Sequence, residues 1–145
     1  MPAPEPAPEV VRLSPLDALA YLDGCWEFDQ SVFDLETCWH REPRAWVGVV
    51  TAKLGREGVQ LRFEIQIVAI GHDLFLEVFN PPDDNWFRHQ ASPLFTIGKG
   101  HVAFGFSDEQ LELALTVDDE KRTLRMASPR YAYSLKHATS ILPGH

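Results

Sequence analysis

The chain has 145 residues, 45% of them hydrophobic, 23% charged and 11% aromatic, which suffices for one packed core and leaves too little for two domains of ordinary stability. With 21 acidic against 13 basic residues the formal charge is -8, and no Lys/Arg cluster offsets it, so a phosphate backbone is excluded as a partner class. No apolar run approaches the roughly 20 residues of a membrane-crossing helix, so no transmembrane segment is expected.

Pro2, Pro4, Pro6 and Pro8 alternate with Ala and Glu, a composition that favours extended polyproline conformation and buries nothing. Residues 1–13 therefore read as a disordered proline-rich tail and 14–145 as the folded domain. The first ten residues carry no basic region followed by an apolar stretch, the form of a secretory signal. The expected compartment is cytoplasmic if the chain is complete and exported if a signal has been removed.

Ser14-Pro15-Leu16-Asp17 places a hydroxyl at a cap, proline at the first helical position and a carboxylate three residues after the cap, the pattern of a helix start. Leu16, Leu19, Ala20 and Leu22 give that helix a short apolar face, and Asp23-Gly24 ends it. Beyond Gly24 the period becomes two. In Leu61 to Ile70, the residues Leu61, Phe63, Ile65, Ile67 and Ala69 share one face, and Arg62, Glu64 and Gln66 the other, as a half-buried strand requires. Gln110 to Val117 repeats the rule, with Leu111, Leu113, Leu115 and Val117 inward and Glu112 outward, and His101 to Phe106 groups Val102, Phe104 and Phe106.

Further strands are expected at Cys25 to Asp29, Trp46 to Lys53, Leu74 to Asn80, Leu94 to Ile97, Arg122 to Ala127 and Arg130 to Thr139. Turn-forming residues separate them, among them Gly71-His72-Asp73 and Asn80-Pro81-Pro82-Asp83-Asp84-Asn85. About nine short strands joined by tight turns make an all-β antiparallel meander, and one helix cannot supply the crossovers of a parallel sheet. Closure into a barrel and folding into a sandwich are the two economical ways to hide the edges, and the barrel is the expectation.

The stretch Gly24-Cys25-Trp26, set between a short helix and the first strand of such a meander, resembles the calycin superfamily of lipocalins, fatty-acid-binding proteins and bacterial lipocalin-like domains. The resemblance covers residues 14 to 28. It implies a lipocalin-like β-barrel that binds an apolar or amphipathic small molecule, with Gly24 and Trp26 closing one end beneath a cation from the last strand. Arg130 or Lys136 is expected in that part, and Arg125 less so. Haem-binding nitrobindins share the G-x-W element but usually continue with glycines, whereas Glu27 and Phe28 follow here. Haem is the lesser expectation, with His137 as its ligand, and no cofactor is assigned.

Chemistry is sparse. His40, His72, His89, His101, His137 and His145 form no H-E-x-x-H or H-x-H motif, so no metal site is read. Thr96 to His101 imitates a phosphate loop by eye, without its spacing or a following helix. No nucleophile motif appears, and no catalytic residue is expected. Tyr131, Tyr133, Leu135 and His137 alternate on one face of the last strand, so Tyr131, Tyr133 and His137 are the candidate ligand-binding residues.

Trp39 precedes His40, Arg41 and Glu42-Pro43 and is expected in an exposed loop. Trp86 and Phe87 follow a Pro/Asp-rich loop. These three aromatics are the candidate partner surface for an alternative role as a protein-interaction module. Cys25 and Cys38, each followed by Trp, are read as half-buried thiols in a reducing compartment or as a disulfide in an exported protein.

Overall fold

The computed structural model describes residues 14–30, 33–54, 58–81 and 86–138. The proline-rich tail, most of the Asn80 to Asn85 turn, the end of the last expected strand at Thr139 and the terminal His145 lie outside the described residues.

Ser14 caps the N-terminal helix, its hydroxyl oxygen accepting from the Leu16 amide at 3.2 Å, and the helix runs Pro15–Leu22. It is a 3-10 helix rather than an α-helix. Leu16, Leu19 and Leu22 are all buried, and their spacing of three lines them up on one edge only when a turn holds three residues. Ala20, expected on the apolar face, is exposed. Asp17 does not complete a capping box; its carboxylate faces Arg41 at 3.4 Å.

Ten strands follow: β1 (Gly24–Gln30), β2 (Phe33–Glu42), β3 (Ala45–Leu54), β4 (Val59–Ile70), β5 (Asp73–Phe79), β6 (Ala91–Gly98), β7 (His101–Gly105), β8 (Leu111–Asp118), β9 (Thr123–Ala127) and β10 (Ala132–His137). Each pairs antiparallel with its neighbours in sequence, and β1 pairs with β10 to close the barrel. The expected all-β meander, closed barrel and single leading helix are therefore present. Among the described residues no helix is long and apolar enough to cross a membrane.

The closure is uneven. β1 and β10 meet at Trp26↔His137 and Glu27↔Lys136, and β5 and β6 only at Phe75↔Pro93 through Glu77↔Ala91. Between these short ladders lie two five-stranded meanders, β1 to β5 and β6 to β10, the two halves of one closed sheet.

β2 is the strand the sequence reading missed. Leu35, Thr37 and Trp39 point inward and alternate with Asp34, Glu36, Cys38 and His40. A threonine on the inner face and a histidine beside the tryptophan disguise the period of two. Trp39 is consequently a wall residue with 2% exposure, not part of a loop. Its indole lies flat against β3, where a Cβ on Gly48 would stand 2.7 Å from the ring. Glycine is needed there for the close approach.

The barrel is filled by its own side chains. Trp26, Leu35, Trp39, Val50, Ile65, Ile67, Leu76, Phe104, Leu113, Leu115, Leu124 and Leu135 are each 2% exposed or less. These side chains belong to one contiguous hydrophobic core. Two further expectations are corrected. Phe106 lies past the end of β7 and is exposed. Glu112, expected outward, is completely buried because a bulge interrupts β7–β8 pairing: Phe104 faces Leu113 and Gly105 faces Leu111. Glu112 is the extra residue, and bulges re-aim side chains in this way.

Candidate functional site

The two barrel ends are chemically different. At one end the N-terminal helix covers the core, and two indoles from the wall hold it. Trp26 Nε1 donates to the Leu22 carbonyl at 2.9 Å and Trp46 Nε1 to the Leu16 carbonyl at 2.6 Å, so the first and last turns of the helix are each pinned by a buried indole N–H.

The expected plug at Gly24 and Trp26 is at this end, with a different cover. Arg130 lies in the turn before β10 and is exposed, and Lys136 and Arg125 point outward. The group against Trp26 is His137, edge-on at 4.7 Å between ring centroids. Its Nε2 lies 3.4 Å from the Asp23 carbonyl, and a Cβ on Gly24 would fall 2.4 Å from the same atom. That contact packs the Nε2 edge of His137 against the Asp23–Gly24 backbone at the helix end. Gly24 also has φ +111, a conformation that disfavours any side chain.

At the other end seven aromatic rings are in contact. Phe28 on β1, Phe33 on β2 and Tyr133 on β10 form one group, with Phe33 and Tyr133 stacked at 5.2 Å. Phe63 on β4 meets Trp86 at 5.4 Å and Phe87 at 5.7 Å. Trp86 joins the groups by lying 5.3 Å from Tyr131 and 6.0 Å from Tyr133. β4 and β10 belong to different halves of the closed sheet, so Trp86 bridges the barrel end from one wall to the other. Phe28, Phe33, Phe87, Tyr131 and Tyr133 are each partly exposed, while Phe63 and Trp86 are buried.

Tyr133 and His137 share the inner face of β10 and Tyr131 immediately precedes the strand; the two tyrosines stack on each other, but the structure does not bring His137 to them. The four residues from Tyr133 to His137 span roughly 13 Å of strand, which places the tyrosines in the ring cluster and the histidine under the helix. The expectation of an exposed partner surface is corrected at Trp39 and at Trp86, which is 3% exposed; Phe87 is half-buried beside Phe63.

Two hollows lie on the outer side of the wall, each with one ring-cluster residue, Phe28 or Phe63, in its lining. One, of about 430 Å³, runs along the β1–β4 wall and is lined by Phe28, Leu35, Glu27, Glu36 and Lys53 among others. The other, of about 260 Å³, touches Phe63, Arg62 and Glu64. The first falls within the size range of small-molecule sites. Glu27 and Glu36 are cross-strand partners. Desolvation first, and then the hydrogen bond and charge of Glu36, hold the Glu27 carboxyl above its ordinary value. At the helix end, burial pushes the Tyr21 phenol up.

Cys25 and Cys38 face each other across β1 and β2 with Cα atoms 4.0 Å apart and are joined in a disulfide, the alternative to free thiols. Among the described residues no group of three or more His, Cys, Asp or Glu side chains is arranged to hold a metal ion.

The chain matches no family model, no curated protein and no solved structure. The likeness to lipocalins therefore extends to a closed antiparallel barrel with a short leading helix.

Proposed function

We propose that the protein binds a flat apolar or amphipathic small molecule, and that the ligand sits on the ring cluster at the end opposite the helix. The observation that carries this reading is the seven-ring contact set itself, five of whose members retain exposed surface. Water-facing aromatic surface held by a rigid wall is costly to leave uncovered, and it offers stacking faces to a planar guest. The lipocalin resemblance suggests a ligand enclosed deep in the barrel. The packed inner layer argues instead for a shallow seat, with Tyr131 and Tyr133 as contacts and His137 as a structural residue.

Native mass spectrometry of the protein purified from cell extract tests for a retained small molecule, and titration with a planar apolar fluorophore such as 8-anilinonaphthalene-1-sulfonate tests the seat. Tyr133→Ala removes the ring stacked against Phe33 and tilted against Phe28, and should weaken probe binding about three- to tenfold, the equivalent of one aromatic contact. Probe affinity unchanged in Tyr133→Ala and in Phe33→Ala, with no retained molecule, would count against the proposal.

A further inference from the structure

We infer that Glu112 is the positioning residue of the ring cluster: its buried carboxylate seats Trp86 across the barrel end by holding the two backbone amides that follow it. This rests on the ring cluster being the binding surface, and its first consequences can be read without any ligand.

Glu112 stands alone in the bulge between Leu111 and Leu113, turned away from the solvent side that its strand period would give it. Its side chain is fully buried, a costly place for a carboxylate unless donors compensate it. Oε2 accepts from the Arg88 amide at 2.8 Å and the His89 amide at 3.0 Å. Oε1 has no hydrogen bond and faces Arg88 Nε at 3.6 Å and His89 Nε2 at 3.9 Å.

The arrangement is reciprocal. Arg88 reaches back over the β7–β8 connection, donating from its guanidinium to the Leu111 carbonyl at 3.0 Å and the Glu109 carbonyl at 3.3 Å. One residue beyond His89, the Gln90 carbonyl accepts from the Val78 amide at 2.8 Å and ties the same segment to β5. Residues 88 to 90 are therefore fixed to both β8 and β5 near the narrow β5–β6 seam.

Trp86 is two residues upstream of this anchorage. Its ring spans from Phe63 on β4 to Tyr131 and Tyr133 beside and on β10. The spacing between those walls is set by strands, but the placement of Trp86 between them depends on a connecting segment, and the charge-assisted tie of that segment is Glu112. Charge-assisted hydrogen bonds to a buried carboxylate are about twice as strong as neutral ones. A site that stacks a planar guest loses affinity when one of its rings is free to turn away, because the guest must then pay to order it.

The test compares the full chain with Glu112→Ala and Glu112→Gln, using amide hydrogen exchange, acrylamide quenching of tryptophan emission, and affinity for the fluorophore. In Glu112→Ala the Arg88 and His89 amides should exchange faster while β3 and β4 stay protected. One tryptophan should become quenchable, since Trp26, Trp39 and Trp46 remain under the helix end. Fluorophore affinity should fall roughly tenfold or more. Glu112→Gln keeps one carbonyl acceptor and should lie between wild type and alanine.

Protection of Trp86 and of both amides unchanged in Glu112→Ala overturns the assignment, as does loosening spread equally over the helix end. If Glu112→Ala fails to fold, Glu112→Gln decides: faster exchange confined to Arg88 and His89 supports the role, and unchanged exchange there refutes it. If the exchange and quenching results hold while wild type binds no planar probe, Glu112 still positions Trp86 and the binding reading alone is lost.

Discussion

Gly24 and Trp26 occupy the junction where helix becomes barrel, and each has a separable physical job. Gly24 has φ +111 and sits against His137, so Gly24→Ala adds backbone strain and a clash together. It should cost about 2–4 kcal/mol in urea unfolding. Trp26→Phe keeps most of the buried ring but leaves the Leu22 carbonyl without its donor, for a loss of about 1–3 kcal/mol. Glu27 behaves in the opposite sense. Its folded-state pKa lies above the ordinary 4.5 through desolvation and Glu36, so the folded chain holds that proton more tightly than the unfolded one. The stabilisation is full below pH 4.5 and is lost as pH rises through the folded-state value. Glu27→Gln should therefore be more stable than wild type at neutral pH, by under about 1 kcal/mol because the site is solvent-screened. The advantage should vanish in acid, as paired unfolding curves across pH would reveal.

The N-terminal helix is an end cover whose value lies in tertiary contacts, since an isolated helix of this length is not stable in water. Leu19 is wholly buried beneath it, and Leu19→Ala should cost about 2–5 kcal/mol. The Cys25–Cys38 bridge closes a short loop in a hairpin already paired along its length; reducing it should cost about 2–3 kcal/mol, seen as a lower denaturation midpoint. The helix boundaries were legible because Ser14, Pro15 and Gly24 are local signals, and β4 because its alternation is nearly unbroken. β2 was hidden because Thr37 turns inward while Cys38 and His40 take outer positions. Glu112 was unreadable for a deeper reason: a bulge is a relation between two strands, and neither β7 nor β8 alone records that Gly105 faces Leu111. The ring cluster was half visible. Tyr131 and Tyr133 announced themselves by period, whereas Phe28, Phe33, Phe63 and Trp86 come from four other parts of the chain and meet only on barrel closure.

At the scale of the molecule, ten strands close into one barrel whose ladders are shortest at β1–β10 and β5–β6, with a helix at one end and aromatic rings at the other. Core side chains occupy the space between, so the fold is a rigid frame for its ends. Stability should be highest where long strands pair over many residues, in β3 and β4, and amide exchange should be slowest there and faster at the β5–β6 seam. The position at which a small planar molecule lands decides between a shallow aromatic seat and an enclosed one. Chemical-shift mapping of the labelled protein during titration with 8-anilinonaphthalene-1-sulfonate locates it. The expected perturbations fall on Phe28, Phe33, Phe87, Tyr131 and Tyr133, with Trp26, Trp46 and His137 silent; perturbation centred on the helix end or on Ile65, Leu76 and Leu115 would contradict the shallow aromatic seat.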